Sequence, residues 1–236
     1  METGRIGLNR NQIKYIAALA MLIDHIGMMF VPIMTPFGMS LRVIGRLTAP
    51  VMCYFLAEGF HYTSSKKKYA IRLFVFALIS QLIYAPLHHG TLFVADFNMI
   101  FTLFLAFLML CCLESVEKPV LKWAVITGLV FVSFFCDWSI YALLFVFLFY
   151  CFRGEKKKQA TAFSCVVFFV VGAESVNCML NGVPWYLALF QSGLFLFLPF
   201  LYLYNGQGGS KKTVHKWFFY IFYPLHQAVL GLIKLL

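Results

Sequence analysis

Apolar runs long enough to cross a bilayer recur along the chain, with short polar clusters between them. They fall at 13–34, 41–62, 69–87, 98–114, 119–135, 139–152, 160–178, 184–204 and 217–235. A hydrocarbon layer about 30 Å thick needs roughly 20 helical residues, and a backbone with no water around it satisfies its own hydrogen bonds as a helix. The pattern predicts an all-α polytopic membrane protein of about nine transmembrane helices, built as a single integral-membrane domain over residues 1–236. Only Cys136-Asp137-Trp138-Ser139 separates the short fifth and sixth runs, so eight spans are the alternative. No internal repeat is visible, which argues against the inverted halves of many transporters.

Composition agrees with the pattern: 62% of the 236 residues are hydrophobic and 12% are charged. Soluble domains carry about 25% charged residues, so a soluble nucleotide-binding or zinc-finger module is excluded. The formal charge of +10 would suggest nucleic acid in a soluble protein, but here the position of each cation carries more information. With the N-terminus in the cytoplasm, the inner loops receive Arg5, Arg10, Lys14, Lys66, Lys67, Lys68, Arg72, Lys118, Lys122, Arg153, Lys156, Lys157, Lys158, Lys211, Lys212 and Lys216. That is all of the 19 Lys and Arg residues except Arg42, Arg46 and Lys234. This bias obeys the positive-inside rule at every loop, whereas eight spans would scatter the clusters over both faces. Membrane lipids are then the surroundings, no nucleic-acid partner is expected, and homo-oligomerisation is left open. The seven cysteines are odd in number and lack a C-x-x-C pair, so no metal site is expected; Cys136 and Cys178 are the one pair left open. The stretch after Arg5, Arg10 and Lys14 is too long for a signal-peptide core, so the first span is expected to be retained.

Ionisable residues inside apolar spans are costly and mark partners or water-filled cavities. Asp24 and His25 lie 11 to 12 residues into the first run, about 17 Å deep at the helical rise. Their side chains diverge by about 100°, so each needs its own partner on another helix. Arg42 and Arg46 share one helical face at i, i+4, with Arg46 roughly 7 Å deep and able to reach Asp24. Arg42 is then left to meet an anionic or carbonyl group. His226 sits at similar depth in the last span, after Pro224, so Asp24, His25, Arg46 and His226 are expected around one polar cavity. On the inner side, the turn Tyr204-Asn205-Gly206-Gln207-Gly208-Gly209 with Lys211, and the group Lys66, Lys67, Lys68 and Arg72, offer N–H groups and positive charge to phosphates or anionic lipids.

These features resemble a known family in order along the chain. Leu22-Ile23-Asp24-His25-Ile26-Gly27, Arg42-Val43-Ile44-Gly45-Arg46-Leu47 with Pro50, Ala57-Glu58-Gly59, Tyr62-Thr63, Tyr69 and Arg72-Leu73 look like TraX, the F-pilin acetylation family. Asn98 with Phe101-Thr102-Leu103, Tyr204-Asn205-Gly206 and Phe222-Tyr223-Pro224-Leu225-His226 continue the likeness. The turn departs from it at Gln207-Gly208-Gly209, where a basic residue is expected and Lys211 is the substitute.

The resemblance implies an acetyltransferase of the bacterial inner membrane, similar to the lysosomal heparan-α-glucosaminide N-acetyltransferase. Cytosolic acetyl-CoA would serve an acceptor on the opposite side, with a pilin amine as the namesake's acceptor and sugars, lipids or small amines as alternatives. Acetyl transfer needs a base for the acceptor's proton and donors for the oxyanion. His25 is the expected base, oriented or charged by Asp24, with Arg46 and His226 around the carbonyl. His226 is the rival base, and an acetyl-histidine relay is an alternative to direct transfer. Arg72, Lys66, Lys67, Lys68, Tyr204, Asn205, Gly206 and Lys211 are expected at coenzyme A, and Arg42, Asn98 and Asp137 at the acceptor. The rival function is a proton-coupled transporter or channel using the same buried Asp, His and Arg residues.

Overall fold

The computed structural model describes residues 7–235; the side chain of Lys216 and the expected inner cation Arg5 lie outside the described residues. The regular elements are helices: α1 (Arg10–Phe30), α2 (Pro36–Gly45), α3 (Thr48–Tyr62), α4 (Lys66–His89), α5 (Met99–Ser115), α6 (Pro119–Ser133), α7 (Ser139–Cys151) and α8 (Lys156–Leu180). They are followed by a 3-10 helix η1 (Trp185–Leu196), α9 (Phe197–Leu203) and α10 (Thr213–Leu235). Among the described residues, six segments are long and apolar enough to cross a membrane: Arg10–Phe30, Pro36–Tyr62, Lys66–His89, Lys156–Leu180, Trp185–Leu203 and Trp217–Leu235. The shorter apolar helices α5, α6 and α7 fill the remaining expected runs. The outer surface of α6 shows why this is a membrane protein. Val120, Leu121, Trp123, Val125 and Phe131 are all exposed, which suits hydrocarbon and not water.

Local chemistry sets the helix ends. Asn9 and Gln12 form a reciprocal capping box at the start of α1. Pro32 disfavours the helical region for Val31, whose extended backbone ends α1 earlier than the apolar run suggests. Thr35 caps α2 and Pro36 occupies its first turn. The second run is one apolar stretch but two helices. Pro50 has no N–H for the carbonyl of Arg46, four residues back, and its ring crowds that carbonyl, so the chain breaks at Arg46-Leu47. In contrast, α10 continues through Pro224.

The chain folds into two compact units: Met1–Met52 with Phe152–Phe222 and Leu232–Leu236, and Cys53–Cys151 with Tyr223–Gly231. In the first unit α1 packs on α2, α2 on η1, and η1 on α8. A Cβ at Gly45 would strike the Asp24 carboxylate, and one at Gly193 would strike the Val43 carbonyl, so only glycine permits these helix approaches. Thr48 Oγ1 donates to the Ala17 carbonyl at 2.9 Å. The loop after α9 is clipped to the start of α1: Asn205 N donates to Leu8 O at 3.0 Å and Arg10 N to Gln207 O at 2.9 Å. In the second unit α5 packs against α4, α6 and α7 around fully buried Phe60, Phe107, Phe145 and Phe149.

Candidate functional site

The first unit gathers its buried charge at one point. Asp24 of α1 accepts from Arg42 Nη1 at 2.7 Å through one carboxylate oxygen and from Arg46 Nη2 at 2.8 Å through the other. Arg42 lies on α2 and Arg46 caps its C-terminus, so the i, i+4 spacing brings both to one carboxylate. Arg46 was the expected partner of Asp24, and Arg42 joins it there. Asp24 and Arg46 are buried, at 9% and 8% exposure. Two guanidinium groups share one carboxylate. The Phe190 ring of η1 lies 5.3 Å from the Arg42 guanidinium carbon and 5.1 Å from that of Arg46. Phe190 and the permissive glycines Gly45 and Gly193 were not singled out in the sequence, where one Phe among 28 carries no signal.

His25 follows Asp24 but points elsewhere. Its Nδ1 lies 3.0 Å from the Met21 carbonyl on its own helix, and a carbonyl only accepts, so Nδ1 carries the proton. In the neutral ring this leaves the lone pair on Nε2, the form of imidazole that takes a proton. The ring is therefore oriented by the helix backbone, while both Asp24 oxygens are engaged by arginine. His25 is half-buried.

The residues expected at coenzyme A fall in separate units. Tyr204, Asn205, Gly206 and Lys211 belong to the first. Tyr204 and Asn205 are fasteners there: Tyr204 pairs with Leu8, and the Asn205 side chain accepts from Gln207 N at 2.9 Å. The Tyr204 carbonyl also accepts from Lys156 Nζ at 2.9 Å. Gly206 has φ +82°, which the turn requires, and Lys211 and Lys212 are exposed. Lys66, Lys67, Lys68 and Arg72 belong to the second unit. Lys66 forms an ion pair with Glu114, which also accepts from Tyr150 Oη at 3.2 Å. The Arg72 guanidinium lies over the Tyr69 ring at 4.8 Å.

Asn98 is fully buried, its Oδ1 accepts from Ile100 N and Phe101 N, and its Nδ2 donates to Ala77 O and Gln81 Oε1, both at 2.8 Å. Through these bonds it caps α5 and holds α4. Asp137 is half-buried, and its backbone ties loops together: its N–H donates to Phe97 O at 2.7 Å and its carbonyl accepts from Thr102 Oγ1 at 2.5 Å. Asp96, the residue before Phe97, accepts from His89 Nε2 at 2.8 Å and Tyr84 Oη at 3.3 Å. His226 is buried in the second unit beside the Tyr223 ring, with centroids 6.0 Å apart. All seven cysteines are free. Burial pushes the loop thiol of Cys136 up to about 12, so at neutral pH it is no thiolate acyl carrier. Among the described residues no group of three or more His, Cys, Asp or Glu side chains could hold a metal ion.

A family model described as "TraX protein" matches residues 9–234. The chain is 31% identical over 229 residues to the probable fimbrial assembly protein FimC, serogroup H1, of Dichelobacter nodosus, covering 93% of each protein. It is 34% identical over 70 residues to the uncharacterized protein RP591 of Rickettsia prowazekii (strain Madrid E), covering 30% of this chain and 25% of that one. No solved structure matches.

Proposed function

The chain belongs to the TraX family, and from that premise we propose that it is a membrane acetyltransferase taking acetyl from cytosolic acetyl-CoA to an acceptor on the opposite side. The observation that carries the chemistry is His25, its tautomer set by the Met21 carbonyl, one residue from a carboxylate held by two arginines. In the proposed step the acceptor N–H or O–H gives its proton to His25 Nε2, and the freed lone pair attacks the thioester carbon. The arginine pair meets the oxyanion. The C–S bond then breaks, and the proton passes to the departing coenzyme A thiolate. Exposed Lys211 and Lys212, in the same unit as His25, supply charge for the donor's phosphates. The family's association with pilin and the fimbrial assembly relative make a fimbrial subunit amine the first acceptor to test, ahead of glycan or lipid hydroxyls. Purified protein in vesicles, given isotopically labelled acetyl-CoA and these acceptors, is expected to label the amine. Solute flux without any acyl donor, and no label in any acceptor, would overturn the reading in favour of a carrier.

Nine crossings with the N-terminus inside are part of the same reading, and contacts within each unit support the count. If α4 crosses, the Lys66–Glu114 ion pair requires α5 to return to the side where α4 began. The Phe97–Cys136 backbone bridge then requires α6 to cross as well. The Leu8–Tyr204 bridge fits an even number of crossings between those residues, which α7 as a further span would supply. Positive loops assign the inner face. Single-cysteine variants at Lys67 and Asp96 are expected to react with impermeant thiol reagents from opposite sides; reaction from one side would defeat the arrangement.

A further inference from the structure

We propose that Phe190 is a positioning residue: its ring face fixes the planes of the Arg42 and Arg46 guanidinium groups so that both face a developing negative charge. The catalytic consequence rests on the acetyl-transfer reading; the contact does not. Asp24 holds one N–H of each arginine, and the Phe190 ring lies against both guanidinium groups. Both guanidinium carbons lie within 5.3 Å of one ring centroid, inside the distance of about 6 Å at which the negative face of an aromatic ring attracts a cation. Two like charges this close repel, and the carboxylate and the ring offset that repulsion together.

The local backbone explains how the ring gets there. A 3-10 helix has three residues per turn, so Leu187, Phe190 and Gly193 stand in one line along η1. Gly193 brings that line against the Val43 carbonyl of α2, where any side chain would collide. With the backbones in contact at Gly193, Phe190, one turn earlier, comes beneath the arginines. An α-helical winding would turn the two residues about 60° apart and lose the alignment. Runs of 3-10 helix beyond three or four residues are uncommon. Here the run is 12 residues long, and the line of contacts is what the winding produces.

Leucine keeps an apolar side chain of similar size but has no ring quadrupole, so Phe190→Leu separates packing from cation attraction. This variant is expected to insert and fold normally and to keep its KM for acetyl-CoA within about twofold. Its kcat is expected to fall about tenfold, the product of two contacts each worth roughly threefold. Phe190→Trp is expected to recover most of that loss. Wild-type turnover in the leucine variant, or equal losses in both variants, would overturn the proposal. A readout independent of activity separates this failure from failure of the acetyl-transfer reading. In a thermal-stability cycle combining Phe190→Leu with Arg46→Met, the two changes are expected to be non-additive. Additive effects overturn the proposal; coupling in a protein that transfers no acetyl leaves Phe190 as the arginines' support and removes only the enzyme reading.

Discussion

Replacing His25 by alanine is expected to lower acetyl transfer by about 10²- to 10⁴-fold, the range that a positioned general base contributes. The loss should appear in kcat, because the imidazole acts on the acceptor's proton and not on the donor's phosphates. Folding is expected to be little changed, since the hydrogen bond that Nδ1 makes is to the Met21 carbonyl, which belongs to the same helix and is already an α-helical acceptor. Coenzyme A affinity, measured on the purified variant, should stay near wild type. His226 is the competing base, buried in the second unit beside Tyr223. Near-normal turnover in His25→Ala with a folded, inactive His226→Ala would move the assignment to His226. Turnover in both variants would remove the histidine mechanism.

The helices were legible because hydrocarbon thickness and helical rise translate directly into run length, and α1 to α10 with η1 fill the expected runs. What escaped was the winding within a run. An apolar stretch reads the same whether it continues, breaks or tightens, so the break at Arg46-Leu47 and the 3-10 turn of Trp185–Leu196 left no mark in hydropathy. Pro50 did carry the signal for the break, through the carbonyl four residues before it. The Asp24–Arg46 pair was readable from depth and reach, because both residues are ionisable among apolar neighbours. The ion pair of Lys66 was not legible, because its partner Glu114 lies 48 residues away on another helix and spacing along one helix says nothing about that. The capping role of Asn98 was legible in its place directly before an apolar run, the position of an N-cap. Phe190 had no comparable signal: its role depends on where two cations come to rest.

The charge cluster allows function and stability to be told apart. Asp24→Leu leaves two arginines in an apolar span without their carboxylate. Breaking one side of a buried ion pair costs about 3–5 kcal/mol, so this variant is expected to melt on the order of 10 °C lower in detergent. Replacing all three charges, as Asp24→Leu with Arg42→Met and Arg46→Met, removes the burial cost along with the attraction. Exchanging a buried ionic group for apolar side chains of similar volume is often neutral or stabilising. The triple variant is therefore expected to recover wild-type melting or exceed it, while acetyl transfer remains lost. A triple variant that melts as low as Asp24→Leu would show that the cluster holds α1 to α2 for the fold's sake. A stable triple variant with normal turnover would mean that the positive charge stabilises no oxyanion. Recovery of stability without recovery of turnover is the outcome that follows if the charge cluster is kept for the reaction.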